Sequence, residues 1–219
     1  NQELRRNSIT EMGIEIIFAG KKHFITSDRM QILDLLFSTF ENAVQRNQEL
    51  EAANKKLRKA LETIETINDV SQKINRILKP VDVAEAIAVG VKRLIDYDNC
   101  RVYLIDDEGS ELVPLYYSSS VEQEYPPERI GVGHGIVGWA FNKGEPEMVS
   151  DVLKHPKYMK AGDGKDAEES MLAVPLHYED KTLGVIVITR AGLHQFTDEH
   201  MRTLNILAGQ AGVSIENGR

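Results

Sequence analysis

The sequence holds a single cysteine, Cys100, among 219 residues. A disulfide framework within the chain is therefore excluded, as is a zinc site built from several thiolates. A lone thiol fits a reducing cytoplasm, which is the expected location. An excess of basic residues is also missing. The formal net charge is -8, split as about +2 over residues 1-79 and about -10 over the remainder. Nucleic-acid binding needs a basic face to neutralise phosphates, so that function class is set aside. No stretch approaches the roughly 20 apolar residues that span a bilayer, so no membrane insertion is expected. Asn1 to Thr10 carries no apolar signal-peptide core. There is no initiator Met, and the chain is expected to be a piece of a longer protein.

Proline and glycine are absent from Ser27 until Pro80. That absence permits a helix of about 50 residues, far beyond the usual globular length. Ser27 is the expected N-cap, with Asp28 in the first turn. Two apolar series alternate at three and four residues along this stretch. One is Leu36, Ala43, Leu50, Leu57 and Ile64; the other is Leu33, Phe40, Asn47, Asn54, Leu61 and Asn68. Together they make a coiled-coil seam over roughly four heptads. Asn at a seam position weakens the pairing but sets register, because its amide pairs best with an in-register copy. Two readings stand: a parallel homodimer through this helix, or a helix whose Asn positions face water while it packs on its own domain. After Ile64 the pattern broadens to Ile67, Val70, Ile74, Ile77 and Leu78, which suits a helix leaving a two-chain seam.

Upstream, residues 12-26 read as a short hairpin. Gly13 to Phe18 and His23 to Thr26 are strands, and Ala19-Gly20-Lys21-Lys22 is the turn. A lone hairpin is marginal in water, so residues 1-26 are expected to be the remnant of an upstream domain. Residues 27-79 are the long signalling helix.

The rest is charged, amphipathic and rich in strands. Pro80-Val81-Asp82 is expected to end the long helix, and Val83 to Ile95 to form a shorter one. Strands follow at Asn99 to Ile105, Leu112 to Tyr117, Met148-Val149, Ser170 to Tyr178 and Leu183 to Thr189. Ile130 to Lys143 is glycine-rich and then helical. Thr197 caps a terminal helix to Glu216, with Leu204, Leu207, Ala208, Ala211 and Ile215 as its buried stripe. This order predicts an α+β fold: an antiparallel five- or six-stranded sheet with helices packed on it, preceded by the long N-terminal coiled-coil helix.

Several runs in this part resemble one family. They are Gly131-Val132-Gly133-His134-Gly135-Ile136-Val137-Gly138-Trp139-Ala140, then Gly144-Glu145-Pro146 with Val149-Ser150-Asp151-Val152. Ser170 to Leu176, Leu183 to Ile188, Phe196-Thr197-Asp198-Glu199 and Leu207 to Ala211 complete the set. Their order and spacing over residues 68-219 resemble the GAF domain. The resemblance implies a sheet with terminal helices on one face and a small-molecule pocket on the other. It also implies a sensory, regulatory and non-catalytic role in signal transduction, with an unknown small-molecule ligand. No cofactor is required by the sequence.

By strand parity, Arg101 shares a face with Tyr103, and Met171 with Ala173. These four, with Tyr116, Val137 and Trp139, are the candidate pocket residues implied by the resemblance. Which face points inward is open, and Trp139 either fills the core or lines the cavity. The glycine run serves either as a turn packed beneath Trp139 or as a set of amides open to an anion. No Gly-Lys-Ser/Thr follows it, so it is not a P-loop.

No catalytic or metal site is expected. The six histidines include no His-x-x-x-His pair. His134 and His155 occupy places where the family often has an acidic residue. Cys100 lies in a strand and is expected to be buried and inert. Sulfoxide-reducing relatives use more than one cysteine, and chromophore-binding relatives place theirs in a different motif. Thr189-Arg190 stand where cyclic-nucleotide binders would carry Asn-Lys, a departure that weakens that ligand. The alternative function is a ligand-free structural dimerisation module.

Overall fold

A computed structural model of the chain describes residues 13–18, 21–26, 29–77, 79–120, 127–159 and 167–219. Its contacts divide it into two units, Asn1–Ala60 and Leu61–Arg219. In the first, β1 (Gly13–Phe18) and β2 (Lys21–Thr26) form an antiparallel hairpin in which Gly13 faces Thr26 and Phe18 faces Lys21. An ion pair of 2.9 Å joins Lys22 to Glu15 across it. Of the expected turn, Lys21 and Lys22 belong instead to β2, because they pair with Phe18 and Ile17, while Ala19-Gly20 and the expected cap Ser27-Asp28 lie outside the described residues.

Helix α1 runs Arg29–Ile74. Leu33, Leu36, Phe40, Leu50, Leu57, Leu61 and Ile64 are exposed along it, Leu50 at 61%. Ala43, Asn47 and Asn54 of the same seam are exposed as well. Near its end the helix changes role, and Val70 and Ile74 are buried in the core of the second unit. The helix stops at Ile74, short of the Pro80 boundary read from the sequence. Pro80 instead opens α2 (Pro80–Lys92) in its first turn. A proline fits there because its missing N–H has no helical partner to lose. Lys79, the residue before it, is held extended.

The second unit is built on one six-stranded antiparallel sheet in the order β5-β4-β3-β8-β7-β6. Its strands are β3 (Asn99–Ile105), β4 (Glu111–Ser119), β5 (Ile130–Gly131), β6 (Glu147–Val149), β7 (Glu169–Tyr178) and β8 (Lys181–Ala191). Helix α3 (Gly135–Lys143) lies between β5 and β6, and α4 (Asp198–Asn217) closes the chain. Thr197 caps α4, its hydroxyl oxygen accepting the His200 N–H at 3.3 Å. Leu204, Leu207, Ala208, Ala211 and Ile215 are fully buried, as their helical spacing predicts.

The central strands β7 and β8 are buried on both faces, so they read as near-continuous apolar runs. One face carries Cys100, Val102, Leu104, Leu172, Val174, Leu176, Ile186 and Ile188. These pack with α2, α4 and the end of α1 as the larger core. The other face carries Tyr103, Met171, Ala173, Val185 and Val187 against Ile136, Val137 and Ala140 of α3 as a second, smaller core. No helix among the described residues is long and apolar enough to cross a membrane.

Candidate functional site

The α3 face of the sheet collects most of the candidate residues. Tyr103, Met171 and Ala173 are buried in its core beside Val137. Arg101 precedes Tyr103 by two residues on β3 and shares its side. Its guanidinium lies 5.8 Å from the ring centre of Tyr117, the facing residue on β4. Trp139 on α3 is half-buried, and the Lys157 ammonium sits 4.8 Å from its ring centre. That is cation–π geometry at a partly wet site.

Tyr116 goes to the other side. The β3–β4 register shifts between Val102 and Tyr103, so that Tyr116 pairs with Val102 while Pro114 pairs with Tyr103. A bulge of one residue reverses strand parity, and Tyr116 packs against the larger core under the terminal helices.

The glycine run folds back on itself. The N–H of Gly133 donates to Gly138 O at 3.0 Å, that of His134 to Gly131 O at 3.0 Å, and that of Gly138 to His134 O at 3.1 Å. Those amides are engaged by carbonyls, as turn packing requires. A Cβ on Gly138 would stand 2.5 Å from Gly131 O, so the close approach of loop and helix needs glycine there. Gly144 ends α3 in the left-handed region at φ 68°.

Three of the histidines make local hydrogen-bond contacts. His155 Nδ1 accepts the Lys157 N–H at 3.1 Å. In the neutral ring this puts the proton on Nε2, which faces Glu147 Oε1 at 3.4 Å. His177 Nε2 lies 3.2 Å from Gly144 O, and His134 Nδ1 lies 3.2 Å from Val132 O. Among the described residues no group of three or more His, Cys, Asp and Glu is placed to hold a metal ion. Cys100 is fully buried on the opposite face, where burial pushes its thiol up to about 12.

A polar row crosses the α3 face that the sequence reading did not single out. Ser119, Asn99, Thr189 and Met171 are cross-strand neighbours on β4, β3, β8 and β7. The Ser119 hydroxyl donates to Asn99 Oδ1 at 2.6 Å, and Asn99 Nδ2 donates to Thr189 Oγ1 at 3.2 Å. Asn99 is 5% exposed and Thr189 is 1% exposed. Two signals pointed to this row. Asn99 has the parity of Arg101 and Tyr103, and Thr189 ends an otherwise apolar strand on the parity of Val185 and Val187.

A family model, GAF domain, matches residues 79–216. The GAF domain of a phosphoenolpyruvate-protein phosphotransferase from Coxiella burnetii is 21% identical. It superposes with a TM-score of 0.65 over 73% of this chain and 96% of that one. Free methionine-R-sulfoxide reductase from Neisseria meningitidis, solved in complex with its substrate, is 24% identical with a TM-score of 0.63. That match covers 74% of this chain and 92% of the reductase. The GAF domain of an Acinetobacter phosphoenolpyruvate-protein phosphotransferase is 20% identical, with a TM-score of 0.62 over 70% of this chain and 92% of that one. Comparison with curated proteins gives no match. At these identities the solved structures show the fold.

Proposed function

This chain belongs to the GAF domain family, and from that premise we propose that it is a non-catalytic sensor module in a signal-transduction protein. It binds a small molecule on the α3 face and relays its state through a homodimeric α1 to an effector. The observation that carries this reading is the division of labour within the chain. One sheet face is sealed by terminal helices. The other combines apolar side chains with a buried polar row and Arg101. Helix α1, whose end is built into the larger core, presents an exposed heptad stripe from Leu33 to Ile64. A ligand that binds two arrangements of the core unequally shifts their balance by its differential affinity. The in-register homodimer is supported by Asn47 and Asn54, which lie exposed on that stripe and pair best with their own copies.

The absence of catalysis is supported by Cys100. The Neisseria relative is an enzyme by name, but the single thiol of this chain is buried and held protonated. A thiolate is the reactive form, and this environment opposes it. The same reduced, solitary thiol supports a cytoplasmic setting.

Thermal-shift and calorimetric screening of the chain against nucleotides and metabolites tests the sensor reading. A saturable ligand is expected to raise the melting temperature. If none of the screened molecules changes stability, the sensor reading fails. The close filling of the α3 face by Tyr103, Val137, Met171 and Ala173 favours a second reading, a ligand-free dimerisation module. Sedimentation then still gives a dimer, whereas a monomer at tens of micromolar, roughly the range of ordinary association strengths, removes both.

A further inference from the structure

Resting on the homodimer reading above, we infer that α1 selects a second copy of this chain in parallel, with Arg46 facing Glu51 of the second copy on both flanks of the seam. The seam assigns the heptad. Its a positions run from Leu33 through Asn47 and Asn54 to Leu61, and its d positions from Leu36 to Ile64. The flanking e position follows each d by one residue, and the g position precedes each a. The e and g residues from Thr39 to Glu65 all lie exposed, so none is spent on a core of its own chain. In a parallel, in-register pair each g residue faces the e residue five positions later in the other chain. Arg46 then meets Glu51 of the second copy, and two-fold symmetry makes the same pair again on the other flank. Thr39 meets Val44, and the Thr39 hydroxyl is already given to Leu35 O at 2.8 Å within its own helix. Ala53 and Ala60 meet Arg58 and Glu65, where a methyl opposes neither charge.

The competing arrangements of this seam do not satisfy the same residues. An antiparallel pair sets a against d and g against g. Every d residue from Leu36 to Ile64 is apolar. Asn47 and Asn54 would each bury an amide against such a residue, a burial that costs free energy when no hydrogen bond compensates it. The g residues are Thr39, Arg46, Ala53 and Ala60, so Arg46 would meet no carboxylate on its flank. A parallel pair slipped by one heptad faces Arg46 with Arg58 on one flank and with Val44 on the other. It also sets Asn54 against Leu61 in the seam. Among these arrangements, only the in-register parallel pair matches amide with amide and cation with carboxylate. Polar seam residues and flanking charges set orientation and partner choice in coiled coils, partly by penalising the wrong pairings. The parallel pair also brings the C-terminal ends of both α1 helices to one end, where Val70 and Ile74 of each enter a core.

The test exchanges these charges in the whole chain and reads dimerisation by sedimentation equilibrium at low salt. Arg46→Glu and Glu51→Arg each place like charges on both flanks of their own homodimer. Each is expected to raise the dimer dissociation constant about tenfold, because two exposed pairs turn from attraction to repulsion. Mixed in equal amounts, the two variants recover an opposite-charge pair on both flanks. Their mixed dimer, followed by fluorescence transfer between donor- and acceptor-labelled chains, should form with the affinity of the parent. The double variant Arg46→Glu/Glu51→Arg should also dimerise as the parent does. The differences should shrink at about 1 M salt, where exposed charges are screened. Single variants that dimerise as tightly as the parent overturn the inference. So does a mixed dimer no tighter than the two variant homodimers. Either result, with the parent still dimeric, leaves the homodimer reading intact, whereas a parent that is monomeric at roughly tens of micromolar overturns both.

Discussion

Two glycines three residues apart on α4 should respond to the same substitution with opposite signs. Gly212 lies where the helix meets the end of β7. A Cβ there would stand 2.1 Å from His177 O, 2.8 Å from its carbonyl carbon and 3.0 Å from its nitrogen. All three atoms are backbone, so no side chain can swing aside. To reach ordinary contact, the helix and strand must separate by about 1 Å, which forfeits a quarter to a half of the dispersion well of each contact that opens. The residues at risk include Leu207, Ala208, Ala211 and Ile215, all fully buried. Overpacking of this kind costs about 1–3 kcal/mol, and replacing a helical glycine returns about 1 kcal/mol, so Gly212→Ala should lose up to about 2 kcal/mol net. At Gly209 a Cβ would meet nothing within 4 Å. Gly209→Ala should therefore collect the propensity gain of about 1 kcal/mol without opposition. In a chain of this size each kcal/mol moves the midpoint by about 2–4 °C. The single tryptophan, Trp139, belongs to the same unit and reports unfolding by fluorescence. Thermal and urea melts should place Gly209→Ala above the parent and Gly212→Ala below it. A Gly212→Ala variant that melts at or above Gly209→Ala would refute the close α4–β7 packing.

Three further outcomes are expected. Leu50→Lys with Leu57→Lys should raise the dimer dissociation constant about a hundredfold or more, since each buried leucine lost weakens pairing by about 1.5–3 kcal/mol. Sedimentation should show monomers, while the far-UV spectrum of the sheet domain is retained. Thr197→Ala removes the acceptor for the His200 N–H and should lower stability by about 1 kcal/mol in urea titration. Burial raises the Cys100 thiol from 9.0 to about 12. Below about pH 9 both states keep this proton, and stability is unaffected. Between about pH 9 and 12 only the unfolded thiol ionises, so stability should fall by up to about 1.4 kcal/mol per pH unit. Urea midpoints from pH 8 to 10.5 should fall less steeply in Cys100→Ala than in the parent.

Much of the fold is legible in single-chain patterns. The strand Asn99–Ile105 begins and ends where its strand-forming residues and the following Asp-Asp-Glu-Gly turn place it. The α4 stripe and its Thr197 cap follow from a period and a hydroxyl. Pro80 was harder, because proline ends one helix as readily as it opens the next. Its place in the first turn of α2 depends on where α1 stops, which is at Ile74. The site was legible only in part. Parity correctly grouped Arg101 with Tyr103 and Met171 with Ala173, but parity is a relation within a strand. It says nothing of which side the helices cover. It also fails across a bulge, which is why Tyr116 lies under the terminal helices.

The amino-acid sequence by itself determined the opening features: a single cysteine, an acidic net charge, and a long stretch without proline or glycine that carries a heptad pattern. It also determined the family, through an ordered set of local motifs. Each of these is written in neighbouring residues or in a fixed period. Only the tertiary structure decided that the α3 face is the open question and that Asn99, Thr189 and Ser119 meet there. Those three residues come from three strands, up to 90 positions apart. Their meeting depends on strand order and register, which arise from the packing of the whole sheet rather than from any local run.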